Sequence, residues 1–434
     1  MTCRLFLCFP MWLVLELFTT PARAADPKPT PSSLPRLYYA IYQATCKSKH
    51  SSGFSVTRAH IDPKTKRSIA SGAHTYPYDI NGTDIFTLSP DGSKLVVSIN
   101  RVNAFAWMTP ADRKDERYAN LQSVLDDLAV FDLTTGARKR LTRDNAGYTD
   151  VVWSSDSESI AYVSARGVDL SNPSEPRQPE WRVYVQNVRT GKRHTVFQEQ
   201  HVAKNNLRQD SHLLRWLPDS HHLLYISNDP AGLFLLDTRG GKPVLLSEHI
   251  PDTIALGKSR IVWVDNKLSV DNKTFLSATL HTAQLPADLS MIKTAKQWSR
   301  LPGTLMLSLP FGVVNIAVSP DGGRIAVPHG DPANNLMSPV VIDAVNHTVT
   351  LIGSFDPVGD SLSWSQNGRF LLYSQREYYN PGKGNKLIAF PATGGMRQPW
   401  AKVNWKLPVA PLKTTVILDL PEAKTLPFVW QEAK

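Results

Sequence analysis

Short apolar runs recur along the chain, each preceded by a polar cluster in which Asp or Asn is followed by a small residue. Leu88-Ser89-Pro90-Asp91-Gly92 leads into Leu95–Val97, and Trp153-Ser154-Ser155-Asp156-Ser157 leads into Ile160–Val163. The pattern returns at Trp216-Leu217-Pro218-Asp219-Ser220 before Leu223–Ile226, at Val318-Ser319-Pro320-Asp321-Gly322 before Ile325–Val327, and at Trp364-Ser365-Gln366-Asn367-Gly368 before Leu371–Tyr373. Asp-Gly, Asn-Gly and Asp-Ser accept the positive φ that tight hairpin turns need, so each copy predicts a turn joining two strands.

Each unit continues into a second hairpin, visible at Leu128–Gly136, Val183–Gly191, Leu233–Gly241 and Val340–His347. The turn Asp or Asn positions are spaced by 65, 63, 102 and 46 residues. The spacing of 102 is two steps, which predicts a degenerate unit between residues 250 and 300 with Arg260–Val264 and Phe275–His281 as strands and its Asp turn decayed. At the front, Leu37–Thr45 and Phe54–Ile69 lack a leading hairpin, and either Thr414–Leu420 or Thr425–Trp430 can supply the missing inner strand. Radial repetition of four-stranded sheets hides strand edges and suits a period of roughly 40–60 residues. The expected fold is all-β, a β-propeller of four-stranded blades with seven blades favoured and six as the alternative, closed by N- and C-terminal strands.

The Ser-Pro-Asp-Gly turn followed by Ile160-Ala161-Tyr162-Val163-Ser164 and its equivalents resembles the repeat of the TolB-like, WD40-like (PD40-type) β-propeller family. The resemblance covers nearly all of residues 37–434, read as a single propeller domain. It implies the fold, while propellers of this kind serve unrelated tasks. TolB itself carries an α/β domain ahead of its propeller, for which the Pro-rich linker at residues 25–36 leaves no room, so TolB's role and partners are not carried over.

Recurrent positions are read as structural. Trp153, Trp216 and Trp364 stand three residues before the turn Asp or Asn, where other units have Leu88 and Val318. Tyr162, Tyr225 and Tyr373 stand six residues after it, where Val97 and Val327 substitute, so both sets are expected in the core between blades. Asp91, Asp156, Asp219 and Asp321 each serve their own turn and are not taken as a metal ring. The long connections, Arg101–Ser123, Ala165–Trp181, Gln198–His212 and Gln375–Lys386, share the face opposite the short turns, where binding residues usually sit. They offer Trp107, Arg113, Arg117, Tyr118, Trp181, Arg208, Arg376, Tyr378 and Tyr379 as ligand-binding candidates, the Arg/Tyr/Trp composition of contact surfaces.

Composition narrows the function further. The chain has 434 residues, 42% hydrophobic and 20% charged, which excludes a wholly disordered protein. Its formal net charge of +10 favours an acidic partner. Arg4, an apolar stretch from Leu5 to Phe18 and the small-residue site Ala22-Arg23-Ala24 mark residues 1–24 as a secretory signal peptide, so the expected location is periplasmic or secreted. Cleavage leaves only Cys46, which cannot form an internal disulfide. No stretch is apolar enough for a membrane span. The sequence contains no Gly-x-Ser-x-Gly elbow, no His-Glu-x-x-His and no recognised nucleic-acid motif. His221-His222, on adjacent strand positions, point to opposite sides and chelate poorly, while His74, His201 and His212 are the loop histidines to check. The expectation is a monomeric exported binding or scaffolding module that holds a protein, a peptide or an acidic cell-envelope polysaccharide, with no cofactor, metal or nucleic acid. The alternative is a propeller enzyme, a lactonase-type hydrolase or a metal-dependent polysaccharide lyase acting on an acidic sugar, its site assembled from one residue per blade.

Overall fold

The computed structural model describes residues 36–43, 53–61, 68–76, 86–100, 126–143, 146–166, 180–199, 213–228, 230–269, 275–313, 315–331, 336–352, 362–365, 368–376, 385–392, 396–399, 415–420 and 424–431. Among these residues the architecture is mostly β, and the strands pair into seven antiparallel sheets. Taken in chain order, the second sheet is Phe86–Leu88, Lys94–Asn100, Asp126–Asp132 and Arg138–Arg140, and the third is Gly147–Trp153, Ser159–Arg166, Glu180–Asn187 and Arg193–Gln198. The fourth is Leu213–Trp216, His222–Asn228, Ala231–Asp237 and Val244–Ser247. The fifth, Thr253–Leu256, Arg260–Leu268, Phe275–Gln284 and Leu305–Leu309, is the degenerate unit expected between residues 250 and 300.

The chain ends are shared between sheets. The first sheet joins Arg36–Gln43, Gly53–Ile61 and Ser68–Tyr76 to Lys424–Gln431, with Leu37 opposite Trp430. The other tail candidate, Thr415–Leu420, instead completes the seventh sheet after Leu362–Trp364, Phe370–Arg376 and Asn385–Pro391. Met396–Pro399 adds a fifth strand to the edge of the sixth sheet, beyond Ala317–Val318, Arg324–Asp331, Leu336–Asp343 and Thr348–Leu351. The sequence pattern carried no sign of that strand exchange.

The repeated turn is held by its own side chains. Ser89 donates its hydroxyl to Asp91 Oδ1 at 2.6 Å, and the same oxygen accepts the Ser93 N–H at 3.0 Å. Asp156 repeats this with Ser154 at 2.6 Å and Glu158 N at 2.9 Å. The positive φ falls on the residue after the Asp or Asn, at Gly92, Ser157, Ser220, Gly322 and Gly368, so the carboxylate fixes the loop while its neighbour takes the left-handed backbone. Adjacent turns are also stitched together, because Asp91 N donates to Ser157 Oγ at 3.0 Å and Asp156 N to Ser220 Oγ at 3.2 Å. The fifth sheet replaces this turn with Gly257-Lys258-Ser259, and a Cβ on Gly257 would lie 2.8 Å from Gly322 Cα of the sixth sheet's turn. The decayed repeat is thus a close backbone approach that only glycine permits.

Each apolar cluster lies between two consecutive sheets. Val96, Leu128, Tyr148, Trp153 and Tyr162 fill the space between second and third, and Val163, Phe197, Leu214, Tyr225 and Phe234 that between third and fourth. Leu280, Leu309, Ile325, Val340 and Ile342 do the same between fifth and sixth. Tyr162 and Tyr225 are fully buried, as the repeat predicted, and their hydroxyls are satisfied by Gln186 Oε1 at 3.1 Å and Glu199 Oε1 at 2.8 Å. Trp153 and Trp364 are buried and donate their indole N–H to Thr87 O and Ala317 O of the preceding sheet, both at 3.0 Å. From the second sheet to the seventh, the first strand of each sheet lies against the first strand of the next, and Phe86–Leu88 also lies against Lys424–Gln431.

Candidate functional site

In an antiparallel four-stranded sheet of this order, connections from second to third strand and from one sheet to the next emerge at one end, and the hairpin turns at the other. Two hairpins depart from the rule that this end carries only short turns, the one from Asn385–Pro391 to Thr415–Leu420, which spans Met396–Pro399, and one in the fifth sheet. Residues 285–304, between Phe275–Gln284 and Leu305–Leu309, form a 3-10 turn at Leu289–Met291 and a short helix at Ala295–Trp298. Asp288 caps the first by accepting the Ser290 N–H at 3.0 Å. Thr294 caps the second by accepting the Gln297 N–H at 3.3 Å, while Gln297 Oε1 accepts the Lys293 N–H at 2.7 Å. Leu285, Leu289, Ile292, Trp298 and Leu301 from this insertion are buried against Leu233, Leu235 and Leu246, closing the gap between fourth and fifth sheets.

On the long-connection side of that gap lies a cluster of titratable and aromatic groups. His249 comes from the connection between the fourth and fifth sheets, and Ser247 Oγ accepts its backbone N–H at 3.0 Å. Its Nε2 lies 2.8 Å from Asp265 Oδ1, and His281 Nε2 lies 3.1 Å from Asp265 Oδ2. An ionised carboxylate only accepts hydrogen bonds, so the hydrogen bond from His249 is made by a proton on its Nε2. Trp263, directly across the ladder from His281, stacks on its ring with centroids 5.1 Å apart and planes inclined by 5°. His249 is 68% exposed, so this corner faces solvent. Trp263 and His249 also line a recess of about 260 Å³ with Trp298, Ser299 and Thr304 of the insertion. A flat aromatic pair beside imidazoles positioned by one carboxylate can grip a polar ring or planar group, and an imidazole held this way can also accept a proton.

The hairpin side of the same gap has a different character. His222 is buried, with Nδ1 hydrogen-bonded to Asp219 Oδ2 and Nε2 3.8 Å from Asp237 Oδ2. Arg239 holds the Asp237 carboxyl down to about 2 through paired hydrogen bonds of 2.9 Å. Burial pushes the Asp219 carboxyl up, but the N–H groups of His221 and His222 and the His222 ring outweigh it and leave it below its usual range. These groups lock one hairpin to the next. Among the described residues, no group of three or more His, Cys, Asp or Glu side chains could hold a metal ion.

Few of the predicted site residues are among those described. Trp107, Arg113, Arg117, Tyr118, Arg208, Tyr378 and Tyr379 lie outside the described residues, as do His201 and His212. Arg376 ends the strand Phe370–Arg376 opposite Asn385, and His74 lies on Ser68–Tyr76 opposite Val56. Trp181, expected in a loop, stands instead on the strand Glu180–Asn187 opposite Ala165 and packs partly buried against the core between third and fourth sheets. The bulky apolar ring follows its strand inward, and its carbonyl accepts the Glu199 N–H at 3.0 Å. His249, Trp263, Asp265 and His281 were not singled out by sequence, although all fall at the unit whose repeat has decayed, and loss of the turn signal was the available clue.

No protein-family model matches the chain, and no curated protein does. Among solved structures it is similar to TolB from Acinetobacter baumannii, at 16% identity over 83% of this chain and 81% of that one, with a TM-score of 0.35. It is similar to an oligogalacturonate lyase in complex with manganese, at 14% identity over 80% of this chain and 88% of that one, with a TM-score of 0.46. It is also similar to the β-propeller domain of the Trilobed protease from Pyrococcus furiosus, at 11% identity over 73% of this chain and 84% of that one, with a TM-score of 0.44. Among the described residues no helix is long and apolar enough to cross a membrane.

Proposed function

We propose that the chain is an exported, seven-bladed β-propeller binding module that holds a protein or acidic polysaccharide partner on its long-connection face. The observation that carries this reading is the convergence at that face of His249, Asp265, His281 and Trp263, a polar cluster that His249 opens to solvent beside a stacked indole. Seven sheets in succession, with apolar clusters between neighbours and Lys424–Gln431 paired to Arg36–Gln43, support a ring closed by both chain ends. The net charge of +10 favours an acidic partner, and the segment at residues 1–24 favours export.

The test is a thermal-shift screen of the purified protein against acidic oligosaccharides, peptidoglycan fragments and anionic peptides, followed by binding titration of any that stabilise it. Trp263→Ala and His249→Ala are each expected to weaken the best binder about tenfold or more, with the fold intact by circular dichroism. Unchanged affinity in both variants would remove this corner from the binding surface. The ligand recovered unaltered supports a binding module, and conversion to product would instead assign acid–base work to the Asp265-bridged imidazoles.

A further inference from the structure

A second recess, of about 430 Å³, lies at the hairpin end, between the first strands of five consecutive sheets. Its walls are Val152, Trp153, Trp216, Leu256, Val318, Trp364 and similar apolar residues, with the Ser363 hydroxyl among them, and Arg215 is its one ionisable lining residue. One guanidinium N–H of Arg215, on Nη1, donates to Leu214 O at 2.8 Å. Beside it, the Trp216 indole N–H is buried without an acceptor, unlike its counterparts on Trp153 and Trp364, which reach the preceding sheet. That N–H is closed off from solvent, so of the two residues Arg215 is the one that can offer donors to the recess. A planar guanidinium fork at an apolar wall matches a carboxylate from outside.

The neighbouring charge is Asp150, on the first strand of the third sheet. It sits in the left-handed region, at φ 46, where the ladder slips register between Thr149 and Val152. Desolvation pushes its carboxyl up to about 6 even though Arg215 pulls it down. Burial likewise lowers the Arg215 guanidinium against the attraction of Asp150. The two charges are therefore poorly solvated partners, and an incoming anion competes with ionised Asp150 for Arg215.

We infer that this recess binds a carboxylate carried on a small apolar body, with Arg215 as counter-ion. The site lies at the end opposite the long connections and does not depend on the binding surface proposed there. Because ligand and ionised Asp150 compete for one cation, binding tightens as Asp150 takes up its proton.

The experiment is calorimetric titration of the purified protein with benzoate, using benzyl alcohol as the neutral counterpart. Tetra-alanine with a free or an amidated C-terminus tells a chain-terminal carboxylate from a free small acid. Benzoate, ionised throughout, is expected to bind at least tenfold tighter than benzyl alcohol, and more tightly at pH 5.5 than at pH 7.5. Arg215→Gln should lose at least tenfold in benzoate affinity. Asp150→Asn should bind at pH 7.5 as tightly as the unaltered protein does at pH 5.5. Should Arg215→Gln not fold, Arg215→Lys must still prefer benzoate over benzyl alcohol. Failure of both benzoate and free-acid tetra-alanine to bind at millimolar concentration, or undiminished binding by a folded Arg215→Gln, overturns the inference.

Discussion

Asp237 and Asp219 show how a single residue type is tuned by what its oxygens touch. Asp237 is held at about 2 by Arg239 first, and Asp219 below its usual range by the donors of His221 and His222 despite burial. A carboxyl whose folded-state value is depressed adds stability above its unfolded value and loses it as pH falls through the folded value. For Asp237 that window runs from about pH 4 down to about pH 2. Asp237→Asn is therefore expected to lower the melting temperature at pH 6 and to have no such effect at pH 2, measured by differential scanning calorimetry. An equal penalty at both pH values would show that the substitution acts through packing. At this scale the sequence was readable where a residue recurred: the turn aspartates and buried tyrosines stand where their spacing put them. It was not readable for Asp265, His249 and His281, which come from different segments and meet only once the fifth sheet forms. Trp181 misled because an aromatic beside a long polar segment looks like a loop residue until its ladder partner Ala165 is known.

At the scale of elements, the fifth sheet carries two of the departures from the repeat. Its position followed from the doubled spacing, but the insertion at 285–304 had no counterpart in other units to signal it. The insertion is held by burial and not by helix propensity, since a helix of a single turn is unstable alone. Trp298, 8% exposed, anchors it against the fourth sheet. Trp298→Ala should cost about 3–5 kcal/mol in urea unfolding, the usual range for emptying an aromatic core site. A cost below about 1 kcal/mol would mean that the insertion is not part of the cooperative core. Gly257 tests the other departure. Its missing Cβ lets the turn approach Gly322, so Gly257→Ala should destabilise by about 1–3 kcal/mol, the range for overpacking. Gly241→Ala is the control for adding a methyl group: it has open space, although its φ of +124 adds backbone strain of its own.

At the scale of the molecule, the apolar clusters among the described residues lie between neighbouring sheets from the second to the seventh, so whatever joins the chain ends governs whether the assembly unfolds as one unit. Arg36–Gln43 pairs with Lys424–Gln431 from Arg36 opposite Gln431 to Tyr42 opposite Lys424. The last strand also lies against Phe86–Leu88 of the second sheet. Ending the chain after Leu420 removes that strand while keeping Thr415–Leu420 on the seventh sheet. The edge of Arg36–Gln43 is then left with unpaired backbone groups, and the first sheet loses the contact that this strand makes with Phe86–Leu88. The truncated protein should melt at lower temperature and over a broader range, with the first sheet exchanging its amide hydrogens ahead of the third and fourth. A synthetic peptide covering residues 421–434, added in excess, should restore both the melting temperature and the sharpness, because the missing element is a strand and not a covalent tie. An unchanged melting curve after truncation would mean that the terminal strand decorates an assembly already complete without it.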